Sequence, residues 1–133
     1  LLVDHAGDYQ EAARRHDIDL AFFVSPVTPK SRIEFIVKQS TGFVYLISST
    51  CVTGTRKSFS ANLMQITKDI KSTKAIPVLV GFGISSSTQI TEMTKFADGV
   101  IVGSYLTAGV EATIKNENAI VDQVHSLYKT LLI

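Results

Sequence analysis

Phe43-Val44-Tyr45-Leu46-Ile47 decides the fold class, because five successive apolar residues, β-branched and aromatic, run there without polar alternation. Such a run predicts a short strand covered on both faces, as the strands of parallel sheets are. Similar runs recur on either side of it: Asp19 to Val24 before, then Pro77-Val78-Leu79-Val80 and Gly99-Val100-Ile101-Val102 after. The opening Leu1-Leu2-Val3-Asp4 reads as the tail of a fifth strand. Between them the apolar period changes to that of helices. Tyr9, Ala12, Ala13 and His16 share one face, as do Ile33, Ile36 and Val37, then Leu63, Ile66 and Ile70, and finally Ile120, Val124, Leu127, Tyr128 and Leu131.

Thr28-Pro29 is predicted as the cap and first residue of its helix, and Ser86 with Gln89 as a capping box. Five strands, each followed by helical sequence, leave two architectures, an open doubly wound sheet or a (β/α)8 barrel. Both place their sites at the strand C-termini.

Composition narrows the function. The 133 residues carry 13 Lys plus Arg against 12 Asp plus Glu, a net charge of +1. No basic stripe is present to neutralise a phosphate backbone, so nucleic acid is not an expected partner. The apolar runs are far short of the roughly 20 residues a bilayer-spanning helix needs. With Cys51 as the one cysteine, there is no disulfide, structural zinc or iron–sulfur ligand set, and a reducing, cytoplasmic setting is expected. A chain that opens without Met inside an apolar run is expected to be a piece of a longer protein, residues 1–133 forming part of one domain.

Glycine-bearing turns follow three successive strands: Thr53-Gly54, Gly81-Phe82-Gly83 and Gly103-Ser104. Glycine permits the close backbone approach and positive φ of an N–H cradle for an anion, although any one of them could simply make a tight turn. Gly103-Ser104 could add a helix N-terminus, where a phosphate is favoured. Ser86 stands where a dinucleotide fingerprint after Gly81 and Gly83 needs a third glycine, so that reading is weak. Phe82 could stack on a flat apolar substrate or be an ordinary core aromatic, and Tyr45 reads as core. Acid and base candidates are few: only Asp4 falls at a strand end, and Asp98 precedes its strand. His16 reads as a helix-end histidine, and His5 and His125 have no partner pattern.

Taken together, Pro26-Val27-Thr28-Pro29 with Arg32-Ile33, Gly42 to Ser48, Val52-Thr53-Gly54, Val80 to Ser85 and Ala97 to Ser104 resemble the tryptophan synthase alpha subunit in order and spacing. The resemblance covers nearly the whole chain. It implies a (β/α)8 TIM barrel of which this chain supplies about the fourth to eighth β-α units. It also implies retro-aldol cleavage of indole-3-glycerol phosphate into indole and glyceraldehyde 3-phosphate.

By motif position, Gly54, Gly83, Gly103 and Ser104 would hold the substrate phosphate, Phe82 and Gly81 would meet the indole, and Thr53 and Tyr45 would support the reaction. The family's catalytic Glu and Asp fall ahead of Leu1. The resemblance implies no cofactor or metal on this chain, pyridoxal phosphate residing on a beta subunit partner in an alpha2beta2 assembly. Ser49 stands where the family usually has Arg, Cys51 where it has Gly, and Tyr105 replaces a small residue. Those departures leave an alternative, a non-catalytic alpha-like protein that binds and regulates a beta subunit.

Overall fold

A computed structural model describes residues 2–48, 56–113 and 117–132, the side chains of 56–60, 117 and 118 excepted. After a 3-10 turn at Val3–His5 come α1 (Gly7–Arg15), β1 (Phe22–Val24), α2 (Lys30–Gln39), β2 (Val44–Ile47) and α3 (Arg56–Thr73). They are followed by β3 (Val78–Gly81), α4 (Ser87–Met93), β4 (Gly99–Ile101), α5 (Ser104–Thr113) and α6 (Glu117–Leu131). The strands form one sheet in the order β1-β2-β3-β4, every pair parallel. Four β-α units in sequence order are part of a (β/α)8 barrel.

Register explains the burial. Phe22, Val44 and Val78 lie side by side, as do Val24, Leu46 and Val80. All six are buried. They form the outward side of the sheet and share its core with Ile33, Ile36 and Val37 of α2 and Leu63, Ile66 and Ile70 of α3. The alternate rung, Phe23, Tyr45, Leu79 and Gly99, faces the other way. There Phe23 is exposed and Tyr45, Ile47 and Leu79 are half-buried, so β2 is fully covered on one face only. The expected covering on both faces is corrected, because a barrel interior is filled by side chains from eight strands and four are present here.

Two local expectations are also corrected. Leu1-Leu2-Val3-Asp4 does not end a strand: Leu1 lies outside the described residues, and Val3–His5 make a 3-10 turn closed by His5 N–H to Leu2 O and Ala6 N–H to Val3 O. Asp4 is drawn instead onto Arg32 of α2, whose guanidinium grips both carboxylate oxygens, with one bond of 2.8 Å, and also lies over the Phe35 ring. The fourth unit is thus represented by its helix α1. Second, Pro29 is itself the cap of α2, its carbonyl accepting from Arg32 N–H and Ile33 N–H at 2.9 Å. Thr28 Oγ1 turns back to accept the Ser25 N–H at 3.0 Å.

Elsewhere local chemistry sets the ends of helices. Asp17, at φ 54°, terminates α1 in a left-handed residue while Ile18 N–H reaches Ala13 O. Ser86 caps α4 by accepting the Gln89 N–H at 3.3 Å, and the Gln89 side chain returns to Ser85 N–H at 2.9 Å, one residue earlier than a standard box. No helix among the described residues is long and apolar enough to cross a membrane.

Asp98 closes the opposite end of the sheet from the glycine turns. Its carboxylate accepts from Lys71 Nζ of α3 and from the Val78 N–H of β3, both at 2.8 Å. The Lys71 ammonium, helped by the Val78 amide, holds the carboxyl below its ordinary range. A depressed folded value means the stabilisation is present above the unfolded carboxylate value, about 3.9, and is lost as pH falls through the folded one. With 41% of the side chain exposed, screening limits it to roughly 1 kcal/mol. Asp98→Asn should cost that much at pH 7, and the gap to wild type should close in acid unfolding curves as pH falls below the ordinary carboxylate range. A gap independent of pH would show that the charge contributes nothing.

Candidate functional site

Because all four strands run the same way, their C-terminal ends share one rim, and three described segments meet there. Ile47, Gly81 and Ile101 are level in the register, so Ser48, the Gly81-Phe82-Gly83 turn and Val102-Gly103-Ser104 leave the sheet side by side. Thr53 and Gly54, expected to contribute from the loop after β2, lie outside the described residues, as do Ser49 and Cys51.

Among the described residues, the Gly-Phe-Gly turn is the one place where two successive residues have a positive φ. Phe82 adopts φ 86° and Gly83 φ 78°. A bulky residue in that region costs on the order of 1–3 kcal/mol, and such strain persists only where the surroundings enforce it. Ser48 supplies the enforcement. Its buried hydroxyl lies 2.8 Å from both the Gly81 and the Phe82 carbonyls, its single proton shared between them, and its own N–H donates to Gly81 O at 2.7 Å. Sequence reasoning missed Ser48; a small hydroxyl residue directly after a buried strand was the available signal.

Phe82 is 65% exposed, which removes the core reading and leaves its ring free at the rim. Gly81 is needed for a different reason: a Cβ there would overlap the Tyr45 hydroxyl and lie 2.6 Å from Cζ. Tyr45 therefore reaches across from β2 beneath the turn, its ring 5.0 Å from that of Phe23 and tilted by 48°.

Gly83 and Gly103 are exposed, and a Cβ at either meets nothing within 4 Å. The open space lies outside the protein's own packing, where a ligand could approach the backbone. Gly103 O accepts from Leu106 and Thr107 N–H at 2.9 and 3.1 Å, which leaves the first amides of α5 without intrahelical acceptors. Tyr105, the residue that departs from the family pattern, is half-buried against the core with its hydroxyl 3.2 Å from Thr130 Oγ1 of α6, so it points away from this opening.

The segments 81–86 and 102–105 contain no Lys or Arg, so any anion held there would be met by backbone N–H groups and a helix terminus. No cluster of three metal-ligating side chains exists among the described residues.

A cavity of about 550 Å³ beside β1, lined by Leu2, Phe23, Val27, Arg32 and Ile47 among others, is a different feature. It is apolar, and its one cation is already engaged by Asp4, whose carboxyl that guanidinium holds below the ordinary range. Asp4 is thus an ion-pair partner and not a base. The rim thus carries the Phe23–Tyr45 ring pair, the exposed Phe82 ring and the exposed Gly83 and Gly103, apolar rings beside open backbone.

Comparison with known proteins agrees with this fold. The family model described as Tryptophan synthase alpha chain matches residues 1–131. The chain is similar to the tryptophan synthase alpha chain of Chloroflexus aurantiacus, 40% identical over 111 residues, 84% of this chain and 42% of the relative. It is also similar to that of Arabidopsis thaliana, 46% identical over 93 residues, 69% of this chain and 34% of the relative. Among solved structures, tryptophan synthase subunit alpha from Campylobacter jejuni superimposes with a TM-score of 0.87 at 33% identity, covering 99% of this chain and 51% of the other. A chain of Mycobacterium tuberculosis tryptophan synthase gives 0.74 at 31%, covering 100% and 50%. The chain therefore spans about half the length of the relatives it matches.

Proposed function

From the premise that this chain belongs to the tryptophan synthase alpha chain family, we propose that it is the C-terminal part of one TIM-barrel domain whose full-length protein is an indole-3-glycerol-phosphate lyase of tryptophan biosynthesis. The observation that carries the reading is the rim itself: exposed Gly83 and Gly103 with Ser104 at a helix start, beside an exposed Phe82 and the underlying Tyr45. In the reaction the bond between the indole ring carbon and the glycerol chain breaks. The ring carbon gains a proton while the chain hydroxyl loses one and becomes the aldehyde of glyceraldehyde 3-phosphate, so an acid and a base are required. None of the residues named at the rim is a carboxylate, and the resemblance puts the family's catalytic Glu and Asp ahead of Leu1.

On this reading the residues here bind and orient. The amides of Gly83, Gly103 and Ser104, with Gly54 from the loop, receive the phosphate. Phe82 packs on the indole above Gly81, Tyr45 lines the reacting centre, and Thr53 helps close the loop that excludes water. The chain needs no cofactor or metal of its own. Its partner is a beta subunit carrying pyridoxal phosphate, in an alpha2beta2 assembly in the cytoplasm.

The test is indole release from indole-3-glycerol phosphate by the full-length protein, with and without a beta subunit. No release in either case refutes the lyase reading, whereas normal turnover without the partner excludes a purely regulatory role. In the same assay Gly103→Val should raise KM about tenfold with kcat within twofold, because only the ligand's approach is obstructed. The loss of stability should stay under about 1 kcal/mol, the scale of a changed helix cap. An unchanged KM would remove Gly103 from the phosphate site.

A further inference from the structure

The strained turn and its one buried hydroxyl assign a role to Ser48 that goes deeper into the reading above and rests on it. A peptide unit is planar and trans, so the N–H of each residue points opposite to the carbonyl before it. The Gly81 and Phe82 carbonyls both point at Ser48 Oγ, at 2.8 Å each. The N–H groups of Phe82 and Gly83 are therefore both turned away from Ser48, and both residues are exposed. Among the described residues neither amide has a backbone acceptor outside the sheet ladder.

Two alternatives to this arrangement are open to the bare turn. Rotating the 81–82 peptide would return Phe82 from φ 86° to a negative value, and rotating the 82–83 peptide would turn the Gly83 amide inward. Flanking glycines make both rotations sterically inexpensive. Ser48 opposes both, the first chiefly with its N–H on Gly81 O, the second with its hydroxyl, whose single proton is shared between Phe82 O and Gly81 O.

We propose that Ser48 is the positioning residue of the anion subsite: it fixes two successive peptides so that the Phe82 and Gly83 amides face the phosphate-bearing end of the substrate. Ser48 itself is 5% exposed and touches no ligand. Its effect is greatest on the anionic half of the substrate, which loses both amides, whereas the indole half loses only the placement of the Phe82 ring and keeps Tyr45.

The experiment compares wild type, Ser48→Ala and Ser48→Thr in the full-length protein, using calorimetric titration with glycerol 3-phosphate and separately with indole. In Ser48→Ala, glycerol 3-phosphate should bind about tenfold more weakly, as expected for losing well-aimed donors to a charged group. Indole affinity should fall by no more than about twofold, and Ser48→Thr should recover most of the phosphate affinity. KM for indole-3-glycerol phosphate should rise in parallel while kcat changes less than twofold. Equal weakening of both ligands would mean a merely structural residue and would overturn the proposal, as would no weakening of either. If Ser48→Ala does not fold, Ser48→Cys, close in size but a poor donor, is read by the same two titrations. Failure of wild type to bind glycerol 3-phosphate would refute the phosphate reading of the rim, whereas normal wild-type binding with an unaffected alanine variant refutes only the role of Ser48.

Discussion

Gly81→Ala should lower kcat/KM for indole-3-glycerol phosphate cleavage about a hundredfold in the full-length protein, equivalent to about 2.7 kcal/mol of transition-state binding. The added methyl would overlap the Tyr45 hydroxyl, so the ring must swing away from the turn. Tyr45 packs against Phe23 at a tilt of 48° and is half-buried, so the ring can move on its exposed side, toward the space proposed for the substrate. A displacement of about 1 Å in a group beside a reacting centre is enough for a loss of that size. Adding Tyr45→Phe removes the overlapping oxygen but leaves Cζ 2.6 Å from the methyl, so the double variant should recover part of the loss and not all of it. Steady-state kinetics on the two variants decide the matter, and a kcat/KM within threefold of wild type would separate Tyr45 and Gly81 from the site.

Leu46→Ala should be the most destabilising single truncation on the sheet, costing about 3 kcal/mol within the 2–5 kcal/mol range of buried leucine deletions. Leu46 is fully buried between Val24 and Val80 in the register and sits among Ile33, Val37, Leu63 and Ile70 of the two covering helices. A cavity there cannot be filled by one neighbour's movement, because strands and helices on every side are held by their own ladders. Set against a total of 5–15 kcal/mol for an ordinary domain, the loss is large. Urea unfolding should show a lower midpoint with an unchanged slope. Since the side chain faces away from Tyr45, kcat of the folded fraction should remain near wild type; a collapse of kcat with no loss of stability would contradict the assigned face.

What could be read from the sequence follows from what each signal measures. Apolar period reports which face is buried, and it located Ile33, Ile36 and Val37, and Leu63, Ile66 and Ile70, because those faces meet the sheet directly. It could not separate the two faces of β2, since Tyr45 and Ile47 are as apolar as Val44 and Leu46 and only the closure of the sheet decides which pair is covered. Strand composition alone misplaced Leu1-Leu2-Val3-Asp4, where a local turn and the grip of Arg32 on Asp4 prevail over β propensity.

At the rim, the glycines were legible because a positive φ or a close approach leaves few other residue types available. The left-handed Phe82 was not, because nothing in its side chain favours that conformation and the reason for it lies 34 positions earlier, in Ser48. The cap of α2 moved by one residue because Thr28 found an acceptor's role within its own turn, a choice between two local hydrogen bonds that residue types leave open.

The sheet order β1-β2-β3-β4 also bears on how the chain comes to be built. β2, β3 and β4 each pair with the strand synthesised just before, and α2, α3 and α4 pack near the strands they join. No early strand waits at an inner position for a late one. As the polypeptide leaves the ribosome at about 5–20 residues per second, each emerging β-α unit finds its template already laid down. Production and assembly thus proceed in the same direction, the growing edge at any moment being the most recently made strand.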